Sequence, residues 1–160
     1  CASALAKFVS FETPILDFGC GTGLSGQALK RVGFNNIYGT EINSNMRKIA
    51  EQKGIYTDIF DTDIKNPFPE KARFYAICAV GVISSGAGPP ALLKQSLKYI
   101  EKEGFICFSY NDHTLATASY MNAINALKRS GEVNEVFCEY GDHLKSENIG
   151  SVVYVLQKRI

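Results

Sequence analysis

The stretch Ile15-Leu16-Asp17-Phe18-Gly19-Cys20-Gly21-Thr22-Gly23 constrains this chain more than any other. Pro14 breaks the chain ahead of an apolar pair that reads as a strand, and the strand runs into an acid, Asp17. Glycines at 19, 21 and 23 allow backbone conformations and close approach that side chains forbid. Leu24, Ala28, Leu29 and Val32 then recur at helical spacing, and Gly33 stops the helix in the usual C-terminal place. A strand therefore enters a helix through a bare loop, and the first amides of the helix face whatever sits in it.

The rest of the chain repeats this alternation. Helical patterns are expected at 2–9, from Ser44 (a capping residue) to Gly54, from Pro89 or Pro90 to Gly104, and from His113 to Ser130. Strands are expected at 36–42, 55–60, 74–83 and 105–110, and near 136–140 and 152–157. The run Phe-Tyr-Ala-Ile-Cys-Ala-Val-Gly-Val-Ile at 74–83 is almost continuously apolar, as a central parallel strand covered on both faces should be. The last two strands are separated by too little chain for a crossover helix, so they should pair antiparallel. The expected fold is α/β: a doubly wound, mostly parallel sheet of seven strands with right-handed crossovers and the last strand antiparallel.

The chain has 160 residues, 46% hydrophobic and 21% charged, the proportions of one globular domain spanning 1–160. A net charge of +1 gives no global reason to bind nucleic acid or an anionic membrane. The five cysteines are scattered without a CxxC pair and read as reduced structural thiols of a cytoplasmic protein. With His113 and His143 alone, no zinc constellation assembles. No apolar stretch approaches the ~20 residues that span a bilayer. Because the chain opens at Cys1 rather than at a methionine, further N-terminal residues are expected in the full protein.

Sheets of this kind bind ligands beyond the carboxyl ends of their strands. A P-loop needs Lys and Ser/Thr after its last glycine, and Leu24-Ser25 stands there instead. A dinucleotide fingerprint is a closer rival: residues 21–26 satisfy GxGxxG, and Glu41 lies where a ribose-binding acid belongs. Asp17 discriminates, because a carboxylate at the loop mouth repels a pyrophosphate and favours a cationic nucleoside. Glu41 is placed to accept from both ribose hydroxyls, Ile42 and Met46 to press on a base, and Asp63 to accept from an exocyclic amino group.

These segments resemble the class I S-adenosylmethionine-dependent methyltransferases. Residues 15–23 resemble their glycine motif, Tyr-Gly-Thr-Glu-Ile the acidic motif after the second strand, and Asp-Ile-Lys-Asn-Pro-Phe at 63–68 the acid after the third. Residues 72–83 resemble their fourth strand and 92–112 their fifth with its preceding helix, so the likeness covers nearly the whole chain. It departs at Tyr75, where the class usually has an acid, and at the terminal helix, which is short or absent. The resemblance implies a Rossmann-like methyltransferase fold and S-adenosyl-L-methionine as cofactor. Asp17, Gly19, Cys20, Gly21 and Gly23 would carry the methionine end and Glu41 the ribose. Ile42, Met46, Asp63 and Ile64 would surround adenine, with Val80 and Gly81 beside the sulfonium.

The implied reaction is displacement at an activated methyl group, for which the protein aligns the nucleophile and excludes water. A base is needed only where the acceptor holds a proton, and Asp112 and His113, after the fifth strand, are the candidates. Amino-methylating nucleic-acid enzymes of this fold carry Asn/Asp-Pro-Pro-aromatic directly after the fourth strand. Here Gly88-Pro89-Pro90-Ala91 comes several residues later and reads as a helix start. A small-molecule or protein acceptor is therefore expected. The alternatives are an NAD(P)-dependent oxidoreductase and a non-catalytic module of the same fold.

Overall fold

The computed structural model describes residues 1–144 and 148–160. In chain order the elements are α1 (Ala2–Leu5), β1 (Ile15–Phe18), α2 (Leu24–Val32), β2 (Ile37–Glu41), α3 (Ser44–Gln52), β3 (Asp58–Asp61) and β4 (Phe74–Ala79). They continue with α4 (Ala91–Ser96), a 3-10 turn (Leu97–Tyr99), β5 (Ile100–Asn111), α5 (Asp112–Leu115), α6 (Ala118–Arg129), β6 (Val133–Leu144) and β7 (Ile149–Lys158).

One seven-stranded sheet has the order β3-β2-β1-β4-β5-β7-β6. The pairings from β3 to β5 are parallel, and β7 runs antiparallel to both β5 and β6. The chain leaves β1 toward β2 on one side and returns to β4 on the other, so strand order reverses between β1 and β4. Their carboxyl ends open the crevice in which such sheets bind ligands.

The period of two along each strand divides the core between two faces. Leu16, Phe18, Ile77, Ala79, Ile106 and Phe108 face α4, the 3-10 turn and α6, where Leu93, Leu97, Ile124 and Leu127 cover them. Ile15, Ile37, Ala76, Cys78 and Cys107 face the other way, against Leu5, Leu29 and Phe34. Asp17 lies on this second face of β1, paired in register with Gly39 and Cys78. All five cysteines are free. No helix among the described residues is long and apolar enough to cross a membrane.

Several boundaries differ from the sequence-based expectation. Asn43, not Ser44, caps α3, its side chain accepting from the amides of Asn45 and Met46. The helix expected from His113 to Ser130 is two helices. Asn111 caps the single turn of α5, and Thr117 takes an extended conformation before α6. Gly104 lies inside β5 instead of ending a helix, because a side chain there would collide with the Tyr75 carbonyl of β4. α1 stops at Leu5, β3 begins at Asp58 and β4 ends at Ala79, each shorter than its apolar run.

Candidate functional site

The glycine loop is built by backbone geometry. Gly19, Gly21 and Gly23 all have positive φ, at 68°, 57° and 92°. Gly19 also has a packing reason: a Cβ there would lie 2.5 Å from Val82 Cγ2, in the segment after β4. The loop is tied to β2, since the Gly19 amide donates to Thr40 Oγ1 (3.1 Å) and the Cys20 amide to the Thr40 carbonyl (2.9 Å). Glu41 completes the tie: its Oε2 accepts from the Gly21 amide and its Oε1 from the Asn43 amide, both at 2.8 Å.

Asp17 lies beneath this loop with no solvent exposure. Ser25 Oγ, from α2, and the Tyr56 hydroxyl, from the segment before β3, both donate to its Oδ2 at 2.7 Å. Its Oδ1 is buried and has no hydrogen-bond partner among the described residues. Burial raises the carboxyl pKa to about 6, against the lowering effect of the two hydroxyl donors. The groups around it are held protonated. Burial, reinforced by the Asp17 charge, pushes the Cys20 thiol up to about 12 and moves the Tyr56 phenol upward as well. The Cys107 thiol and burial raise Cys78.

A cleft of about 530 Å³ opens beside the loop, over the carboxyl ends of β1 and β2. Gly19, Glu41, Ile42 and Ile64 line it, four of the residues singled out in the sequence. Thr40, Thr62, Lys65, Val82 and Leu92 line it too, without a sequence signal beyond their nearness to the motifs. Ile42, Met46 and Ile64 are exposed apolar side chains. A second cavity, about 240 Å³, lies on the Asp17 face and is lined by Leu24, Ser25, Ala28, Cys78 and Val80, among others.

The other expected residues lie as follows. Met46 is on the first turn of α3, one turn past Glu41. Asp63 accepts from the amides of Lys65 (2.7 Å) and Asn66 (2.8 Å), closing its own turn, and it does not line the cleft. Gly81 has φ 70° in the turn after β4, where its carbonyl accepts from Ser84. Asp112 accepts from the Gly150 amide (2.8 Å) and the Tyr140 hydroxyl (3.1 Å), which ties α5 to the β6–β7 pair. His113 is exposed, and its carbonyl accepts from Thr117. The sequence reading missed Tyr56 and Ser25. Ser25 lay inside a rejected P-loop, and nothing local connects Tyr56 to an aspartate 39 residues earlier.

A family model described as a methyltransferase domain matches residues 3–157. The chain belongs to that family. In the curated comparison it is similar to human methyltransferase-like protein 27, with 27% identity over 114 residues. That match covers 70% of this chain and 46% of the relative, so the chain spans about half the length of the curated protein it resembles. Among solved structures, the ribosomal protein L11 methylase of Lactobacillus delbrueckii subsp. bulgaricus superposes with a TM-score of 0.73 at 16% identity, covering 99% of this chain and 77% of that one. A Listeria monocytogenes protein assigned to the class I S-adenosylmethionine-dependent methyltransferases gives 0.70 at 14% identity, covering 99% and 58%. At these identities the likeness is one of fold.

The matched family is one of methyltransferases, and residues 3–157 of the match include the glycine loop. The third glycine of the apparent dinucleotide fingerprint has its own structural reason in this chain. A side chain on Gly26 would collide with the Tyr56 hydroxyl.

Proposed function

We propose that this domain binds S-adenosyl-L-methionine and transfers its methyl group to a small-molecule or protein acceptor. The observation that carries the reading is Asp17: a fully buried carboxylate beneath the glycine loop, with one oxygen unpartnered among the described residues, next in sequence to Phe18 and Gly19, which line the cleft. Buried acceptors are almost always satisfied in folded proteins, so an orphaned one at a loop of this type fits a ligand that donates to it. The ammonium of the cofactor is such a donor. Glu41 keeps spare lone pairs at the cleft wall for ribose hydroxyls, while Ile42 and Ile64 offer apolar surface to a base. Met46 would extend that surface, and Asp63 would serve an adenine amino group with the oxygen its own turn leaves free. Val80 and Gly81, in the turn after β4, would border the reacting end.

The cofactor would supply a methyl group already activated on a sulfonium. The chain's own residues then have modest tasks. Asp17 and the loop amides orient the amino-acid arm, Gly19 lets Val82 close over the loop, and the apolar rim excludes water. Where the acceptor carries a proton, exposed His113 is the more available base, since Asp112 would first have to release Tyr140 and Gly150. The near-neutral net charge of +1 favours an acceptor other than nucleic acid.

Calorimetric titration with S-adenosylmethionine, S-adenosylhomocysteine and NADH tests the proposal. Micromolar binding of the first two without NADH supports it. Binding of NADH alone restores the oxidoreductase reading. Cofactor binding with no transfer to any acceptor would point to a non-catalytic module.

A further inference from the structure

We infer that Tyr56 and Ser25 are positioning residues, which saturate one oxygen of Asp17 so that the other is held free for the cationic amino-acid arm of the cofactor. The inference rests on the cofactor reading above and deepens it. Two hydroxyls from separate elements, 8 and 39 residues away in sequence, converge on the same oxygen, Oδ2, at 2.7 Å each. None reaches Oδ1, although it is equally buried. A carboxylate fixed by two donors on one side cannot rotate without breaking both, so the direction of its free oxygen is set before any ligand arrives. Functional groups need such a supporting layer to hold their geometry.

The chain makes room for this arrangement at two points. Gly26 lies inside α2, where glycine costs about 1 kcal/mol relative to alanine. Its absent side chain is what allows the Tyr56 hydroxyl to reach Asp17. Gly39 lies inside β2, and a Cβ there would stand 3.2 Å from both the Tyr56 ring and Cys20 Sγ. Tyr56 thus accounts for two glycines in places where glycine weakens the element that holds it.

Among the described residues, four side chains act on or respond to Asp17. Ser25 faces it from α2, Tyr56 from the segment before β3, Cys20 from the loop and Cys78 from β4. The charge of Glu41 acts on the same cluster through Cys20. The thiols and the phenol are held protonated, which leaves Asp17 as the member of the buried group that changes charge near neutrality. The two hydroxyl donors favour its ionised form. Removing one should raise the pH at which the carboxylate becomes available to a cation.

The test is calorimetry from pH 5 to 8 with two ligands. S-adenosylhomocysteine carries the ammonium, whereas 5′-deoxy-5′-methylthioadenosine shares the adenosine and thioether but lacks the amino-acid arm. Tyr56→Phe should weaken the first by about tenfold at pH 7, the scale of a lost bond to a charged group, and leave the second unchanged. Its pH midpoint for binding should move upward. Ser25→Ala, which removes the other donor without touching the tyrosine packing, should do the same. Gly26→Ala, which displaces the Tyr56 hydroxyl while leaving the residue in place, should reproduce Tyr56→Phe. Equal losses for both ligands, or no shift of the pH midpoint, would overturn the positioning role while leaving the cofactor reading intact. Failure of the unmodified chain to bind either ligand would remove the cofactor reading and this inference together.

Discussion

Asp17, near the end of β1, and Glu41, at the end of β2, are acids on neighbouring strands of one crevice, and they are satisfied in opposite ways. Each oxygen of Glu41 accepts a backbone amide, and both bonds, to Gly21 and Asn43, hold the loops that meet over the strand ends. Asp17 spends two hydroxyls on one oxygen and leaves the other bare in a buried place. The first arrangement stabilises the fold. The second costs stability, and such a cost persists where function uses it. Glu41 is therefore a structural pin that keeps some acceptor capacity, whereas Asp17 is a buried acid with one oxygen unmatched among the described residues.

The sharpest way to break this comparison is to neutralise each acid with its amide. Asp17→Asn should raise stability at pH 8 by about 1–3 kcal/mol, the cost of ionising a carboxyl whose pKa is raised to about 6. It should also weaken S-adenosylhomocysteine binding at least tenfold. Denaturant unfolding and calorimetry on the same sample measure both. Glu41→Gln should lower stability by about 1–2 kcal/mol, because an amide nitrogen replaces one acceptor and faces a backbone donor. Cofactor affinity should fall as well, so the two variants share the sign on binding and differ in the sign on stability. A loss of stability in both would mean that Asp17 is structural.

The pH dependence sharpens the same contrast. Native Asp17 holds its proton up to about pH 6 and releases it near 3.8 when unfolded, so between these values the native state binds more protons. Its contribution to stability should therefore decline as pH rises from about 4 to about 6 and level off above. Subtracting the Asp17→Asn profile from that of the unmodified chain isolates this slope. A flat difference would show that the carboxylate is solvated in solution.

The smallest expected effect concerns Asp112. Asp112→Ala removes acceptors for Gly150 and Tyr140, which tie α5 to the β6–β7 pair. A slight loss of thermal stability with unchanged cofactor affinity is expected from thermal melts and calorimetry. A large loss of methyl transfer at unchanged cofactor affinity would instead make Asp112 the base.

Most of the architecture was legible along the chain. The strands followed from apolar runs between turn residues, and the antiparallel β7 from a connection too short for a helix. The elements that failed did so for local reasons. His113–Ser130 reads as one helix by periodicity, but Thr117 takes an extended conformation with its hydroxyl donating to the His113 carbonyl, and the helix divides there. Gly104 resembles a helix stop only because the nearby Tyr75 carbonyl is invisible in one dimension. Of the residues expected from motif spacing, Gly19, Glu41, Ile42 and Ile64 line the cleft. Asp63 was readable as an acid, although its engagement with Lys65 and Asn66 was not.

The sequence by itself determined the strand–loop–helix unit at 15–33 and the acids that follow successive strands. These features depend on residue type and short spacing, both written locally. Only the tertiary structure decided how Asp17 is employed. Its state depends on Ser25 and Tyr56 reaching one oxygen, on Gly26 and Gly39 clearing the way, and on burial that no local pattern encodes. Charge, solvation and hydrogen-bond direction at a buried group are sums over neighbours brought together by folding, so they exist only once the chain has closed around them.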